Sequence, residues 1–85
     1  SRVSPSQIEE KIMCIKGVKD VHVYGKSNSL LGTIICADII GEDVSSKFIK
    51  TELINQSIEK QMIPQVIRIV DFFEHVSNGK KRIII

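Results

Sequence analysis

The sequence predicts an α+β domain: a small, mainly antiparallel three-stranded sheet with helices packed on one face. Two long segments repeat apolar residues at helical spacing, and three short runs are rich in β-branched residues. Their order along the chain is helix, strand, strand, helix, strand. At 85 residues, the chain has room for one modest core and no deep chamber walled on all sides.

The first helix is expected over residues 5–16. Ser4 is placed to cap it, Pro5 suits the first helical position, and Gln7 completes a capping box with Ser4. Ile8, Ile12 and Ile15 fall on one stripe, and Gly17 follows Lys16 as a stop signal. Residues 18–24 read as a strand, Val21 and Val23 alternating with Asp20, His22 and Tyr24. Gly25 to Gly32 reads as a polar loop. Residues 33–40 are apolar on both faces apart from Asp38, which marks the central strand, paired antiparallel with the first. After the Gly41-Glu42-Asp43 turn, Asp43 or Ser45 caps a second helix running to about Met62. Its buried arc joins a Val44, Phe48, Ile58, Met62 stripe to an Ile49, Leu53 stripe. Pro64 ends it, and residues 66–70 form the third strand. Phe72, Phe73, the turn Ser77-Asn78-Gly79 and a basic, then β-branched tail follow.

Composition narrows the function. An apolar fraction of 42% fits a folded domain, and a net charge of +2 is too small to suggest nucleic acid. Cys14 and Cys36, far apart and without a Cys-x-x-Cys or His/Cys cluster, read as buried free thiols in a reducing cytosol, not as zinc ligands. There is no signal peptide and no membrane-length apolar run. The chain begins at Ser1, not Met, which points to an excised piece, with something upstream missing, or to a processed end. His22 and His75 read as surface residues, and no Ser/His/Asp or Cys/His arrangement is present.

The most informative stretch is Ser77-Asn78-Gly79-Lys80. Asn-Gly favours a tight turn, so Lys80 sits at a loop tip from which it can project into a partner's site. Taken alone, that stretch also fits a solvated basic turn, as Lys80-Lys81-Arg82 fits a solvated chain end.

Five segments in register carry a family resemblance. They are Val3-Ser4-Pro5-Ser6-Gln7-Ile8-Glu9, Gly17-Val18-Lys19-Asp20-Val21-His22-Val23, Leu31-Gly32-Thr33, Met62-Ile63-Pro64 and Asn78-Gly79-Lys80. Together the chain resembles the C-terminal domain of the adenylate-forming superfamily: acyl- and aryl-CoA synthetases, peptide-synthetase adenylation domains and luciferases. Where that family usually has Pro-x-Thr before the glycine-lysine turn, this chain has Glu74 and Val76.

The resemblance implies that residues 1–85 are one C-terminal lid domain of an AMP-forming acid–thiol ligase, with the larger N-terminal adenylation domain absent. It implies a cytoplasmic enzyme of fatty or aryl acid metabolism whose isolated fragment is inactive. Lys80 is the implied catalytic residue for adenylation, with Asn78 and Gly79 supporting its loop. Arg2, Val3 and Ser4 are the implied face of the thiol channel. No metal site and no cofactor are expected on the fragment; ATP with Mg, and CoA or phosphopantetheine, belong to the intact enzyme. The implied partners are the N-terminal domain and a CoA or carrier-protein thiol, with no nucleic acid and no membrane span. The competing readings are a stand-alone α+β interaction module and a small ferredoxin-like phosphate or nucleic-acid binder.

Overall fold

The structure, a computed structural model, describes residues 4–74. Helix α1 spans Pro5–Met13, strand β1 Val18–Asn28, strand β2 Gly32–Gly41, helix α2 Ser46–Asn55 and strand β3 Val66–Ile69, with a single 3₁₀ turn at Lys60–Met62. The sheet order is β1-β2-β3. The expected α+β architecture is present, with β2 at the centre.

The side-chain alternation of the strands decides where the core lies. Val21 and Val23 of β1 stand opposite Ile39 and Ala37 of β2, which stand opposite Ile69 and Ile67 of β3. Val21, Val23, Ala37 and Ile39 pack with Ile8 and Ile12 of α1, Ile15 after it, and Ile49 and Leu53 of α2. Both helices therefore cover one face. The opposite face carries the alternate residues His22, Tyr24, Asp38 and Arg68.

The sheet is mixed. The long β1–β2 ladder is antiparallel, as expected from a hairpin, but the short β2–β3 ladder is parallel. Helix α2 supplies the crossover that a parallel pair requires.

Four local expectations need correction. Strand β1 runs to Asn28, through the stretch read as a loop. The reversal is made by Asn28 itself, whose side-chain oxygen accepts from the amides of Leu30 (2.9 Å) and Leu31 (2.8 Å). Helix α2 stops at Asn55, well short of Met62, because Ser57 adopts φ +60°, a left-handed turn that a helix cannot pass through. Ile58 and Met62 still pack against the core from the irregular segment, whereas Phe48 is exposed. At α1 the Ser4 side chain makes no capping bond; its carbonyl instead accepts from Gln7 (3.0 Å) and Ile8 (3.3 Å). Cys14 is exposed and only Cys36 is buried.

Helix α2 is capped by Ser45, whose hydroxyl accepts from the Phe48 amide at 3.1 Å; Asp43 takes φ +60° in the preceding turn. Gly17 and Gly41 let two backbone segments touch. The Glu42 amide donates to Gly17 O at 2.9 Å, and a Cβ at Gly17, itself at φ +97°, would lie 2.6 Å from Glu42 O.

The caps differ in what they predict. Ser45→Ala is expected to cost about 1 kcal/mol, the usual value of a side-chain N-cap. Ser4→Ala is expected to change stability by less than about 0.5 kcal/mol, the scale of a change that removes no specific bond. Urea unfolding of the two variants beside the parent measures both.

Candidate functional site

Of the residues singled out by sequence, Arg2, Val3, Asn78, Gly79 and Lys80 lie outside the described residues. Ser4 is half-buried at the entrance to α1, in extended conformation (φ −96°, ψ 134°). One turn on, the Glu9 carboxylate accepts from the Val23 amide at 2.9 Å. This bond fastens the first turns of α1 to the outer edge of β1.

The helix-free face of the sheet holds a polar cluster at its centre. Asp38 on β2 is 1% exposed. Arg68, its register partner on β3, donates through Nε and Nη2 to the two carboxylate oxygens, each at 3.0 Å. Tyr24 on β1 presents its hydroxyl to the same two oxygens at 3.3 and 3.4 Å. The Asp38 carboxylate thus meets a fork of two parallel donors, the strongest geometry available to it.

The electrostatics follow from this packing. Burial, with the Asp38 charge second, pushes the Tyr24 hydroxyl above its ordinary value of 10.0. The hydrogen bonds and charge of Asp38 push the Arg68 guanidinium further into its charged form. The sequence marked Asp38 as the polar exception in an apolar strand. Its partner could not be read, because Arg68 reaches it only through the parallel register.

The face continues toward both ends of the chain. His22, the register partner of Asp38 on β1, lies with its ring centroid 5.1 Å from Tyr24 and 5.8 Å from Phe73, at an interplanar angle of 57° to the latter. His22 is half-buried by these rings, not a surface residue as its lone position suggested. Phe73 lies just beyond β3, on the segment that leads to Lys80. A cleft of about 200 Å³ opens beside the cluster, lined in part by Lys26, Cys36, Val66 and Arg68. A wider one of about 440 Å³ lies between Lys16, Lys19, Glu42 and Phe48. Neither holds a nucleophile beside a base. Among the described residues no group of His, Cys, Asp and Glu could hold a metal ion. Among them, too, no helix is long and apolar enough to cross a membrane.

Two helices on one face of a three-stranded mixed sheet define a small α+β domain. The AMP-binding enzyme C-terminal domain family matches residues 7–80, and the chain belongs to it. Among solved structures, a fatty acyl CoA synthetase of Mycobacterium tuberculosis superimposes with a TM-score of 0.77 at 23% identity, over 85% of this chain and 14% of that one. ATP-bound MatB from Rhodopseudomonas palustris gives 0.75 at 23%, over 82% and 14%. A malonyl-CoA ligase in a ternary product complex with methylmalonyl-CoA and AMP gives 0.70 at 20%, over 84% and 16%. At these identities the likeness shows the fold, and the chain spans about one-seventh of each of those proteins. Among curated protein sequences none matches the chain.

Two measurements test the cluster. A tyrosine whose pKa is raised on folding adds stability below its ordinary value near 10.0 and loses it as pH rises through the folded value. The parent is therefore expected to exceed Tyr24→Phe by about 0.5 kcal/mol at pH 8, the low end for a hydrogen bond. That gap should close above pH 10 in paired urea titrations. Separately, Arg68→Ala leaves a buried carboxylate without its cation, whereas Asp38→Val with Arg68→Leu removes both charges. The double variant is expected to unfold at higher urea than Arg68→Ala alone.

Proposed function

We propose that this chain is the mobile C-terminal domain of an AMP-forming acid–thiol ligase, with Lys80 its contribution to adenylation. The observation that carries the reading is the family match itself, which runs from Gln7 through the whole fold to Lys80. The reaction is the one the family resemblance implies. A carboxylate oxygen attacks the α-phosphate of ATP, forming the acyl–phosphate bond and releasing pyrophosphate. A thiolate of CoA or of a carrier's phosphopantetheine then attacks the acyl carbon and AMP leaves.

The two substrates of the first step are both anionic, and negative charge grows on their oxygens as the bond forms. An ammonium delivered on a loop, in a site that closure has emptied of water, stabilises that charge without reorganising solvent. Lys80 is suited to this as a compact point charge, and Gly79 gives its loop the freedom to turn. For the second step the domain offers another face, with Arg2, Val3 and Ser4 lining the thiol's approach. The acid, ATP and the metal that accompanies it are bound by the N-terminal domain, so the fragment by itself turns nothing over. The ATP of MatB and the AMP and acyl-CoA of the malonyl-CoA ligase lend support to this pair of half-reactions.

In the intact enzyme, Lys80→Ala is expected to slow acyl-adenylate formation about 10²–10³-fold, the scale of losing one preorganised electrostatic contact. Thioester formation from supplied acyl-adenylate should change far less. Pyrophosphate release and thioester release, measured separately on the one variant, give both rates. Equal losses in the two would instead make the lysine a support for the fold, and no loss in either would make it a solvated turn residue.

A further inference from the structure

The β1–β2 hairpin is longer than the sheet it belongs to. Strand β3 begins opposite Cys36. Just before it, Gln65 donates its amide to Ile35 O at 2.9 Å and accepts the Ile35 amide on Oε1 at 2.8 Å. Beyond that point the ladder continues through Lys26–Ile34, Ser27–Thr33 and Asn28–Gly32, with no third strand beside it among the described residues. Three pairs carry the hairpin about 10 Å past the sheet. At its tip Leu30 and Leu31 are 90% and 70% exposed. Both their amides are held by the Asn28 side chain, so a closed turn presents the two side chains. From Ser27 to Ala37 the sequence has no charged residue. Adjacent leucines at the end of a projecting, uncharged arm differ from the scattered apolar residues of an ordinary surface.

The arm shares its end of the domain with Ser4. Helix α1 runs back along β1: Ile15, just past the helix, accepts from the Val18 amide where the strand starts, and Glu9 accepts from the Val23 amide five residues on. Ser4 stands five residues before Glu9, about 7 Å further in the same direction, which brings it level with about Gly25, where the arm leaves the sheet. We propose that the Leu30–Leu31 tip docks in an apolar pocket of the larger domain of the same enzyme when the Ser4 end is turned toward that domain, and so favours the orientation that forms the thioester. This rests on the role proposed above for the face at Ser4. Charge and tethering choose the occupant. An anionic membrane recruits such a tip through a cluster of basic residues, and Lys26 is the one charge on the arm. An uncharged leucine pair suits a dry pocket on a protein. This chain covers only 14% of the acyl CoA synthetase and of MatB, and a large domain in the same chain is held within reach at an effective concentration that a separate partner lacks.

The test uses the intact enzyme, with phosphopantetheine, common to CoA and carrier proteins, as the thiol. Leu30→Ser with Leu31→Ser should leave acyl-adenylate formation unchanged and slow thioester formation from supplied acyl-adenylate about tenfold, a factor that burial of even one leucine is worth. Leu30→Ser alone should act in the same direction with a smaller loss, and it carries the test if the double variant fails to fold. Leu30→Met with Leu31→Met, which stays apolar, should keep the parent rate within about twofold. Ile54→Ser, at an exposed residue of α2, is the control and should change neither step. A parent that runs neither half-reaction overturns the ligase reading itself. A parent that runs both, with thioester formation untouched in the serine variants, overturns only the docking role. Equal losses in both half-reactions, a loss confined to adenylation, or a methionine variant as slow as the serine one overturn it too. So does parent enzyme that sediments with phosphatidylcholine–phosphatidylserine vesicles when the serine variant does not, since the tip then reads lipid. A parent dimer that the serine variant splits, by light scattering, overturns it in favour of a second copy.

Discussion

One buried carboxylate ties the three strands together on the face that has no helices. Asp38 sits at the middle of the central strand, 1% exposed, with Arg68 of β3 on one side and Tyr24 of β1 on the other. A lone carboxylate there would be costly, and with one partner removed it stays costly, so the three residues hold their places together. Apolar packing can be satisfied by sliding one strand past another by two residues. The fork of Arg68 on Asp38 cannot, because only one register brings the guanidinium opposite the carboxylate. The hydrophobic face supplies most of the driving force, and the polar face makes the short parallel ladder of β3 specific.

The sheet edges are closed by the same economy of means. At β1 the amides of Val21 and Val23 are taken by the carboxylates of Asp20 (2.8 Å) and Glu9 (2.9 Å). At β3 the Ile67 carbonyl accepts from the Ser46 hydroxyl at 2.8 Å. Edge groups already bound to side chains give a further strand less to pair with. That disfavours the stand-alone module that recruits a partner by strand addition.

The sequence disclosed the elements whose signal is local. The Ile8, Ile12, Ile15 stripe and the Val21, Val23 alternation became core as read, and Ser45 proved to be the cap that was one of two candidates. Cys14 was read as buried and is exposed; its place off the stripe of Ile8, Ile12 and Ile15 on a helical wheel was the signal that reading passed over. The early end of α2 was not. Serine carries no breaker signal, and the left-handed turn at Ser57 is set by where the chain must go next, toward the 3₁₀ turn and Pro64. The capping box at Ser4 had the right residues and did not form. The polar cluster was half visible, with Asp38 conspicuous and its partners fixed only by tertiary register. The lysine that carries the proposed chemistry came from family resemblance, and lies outside the described residues.

These features meet in strand β1. Helix α1 is fastened to it by Glu9 on the Val23 amide, and the stretch after β3 by the Phe73 ring against the His22 ring. Adjacent residues of one strand thus hold the entrance to α1, which bears Ser4, and the segment that goes on to Lys80. One bond lies at the strand's edge and the other on the helix-free face, and the core side chain of Val23 binds the strand to the helices behind. Two segments far apart in sequence are thereby held by one strand, one through its edge and the other through its helix-free face.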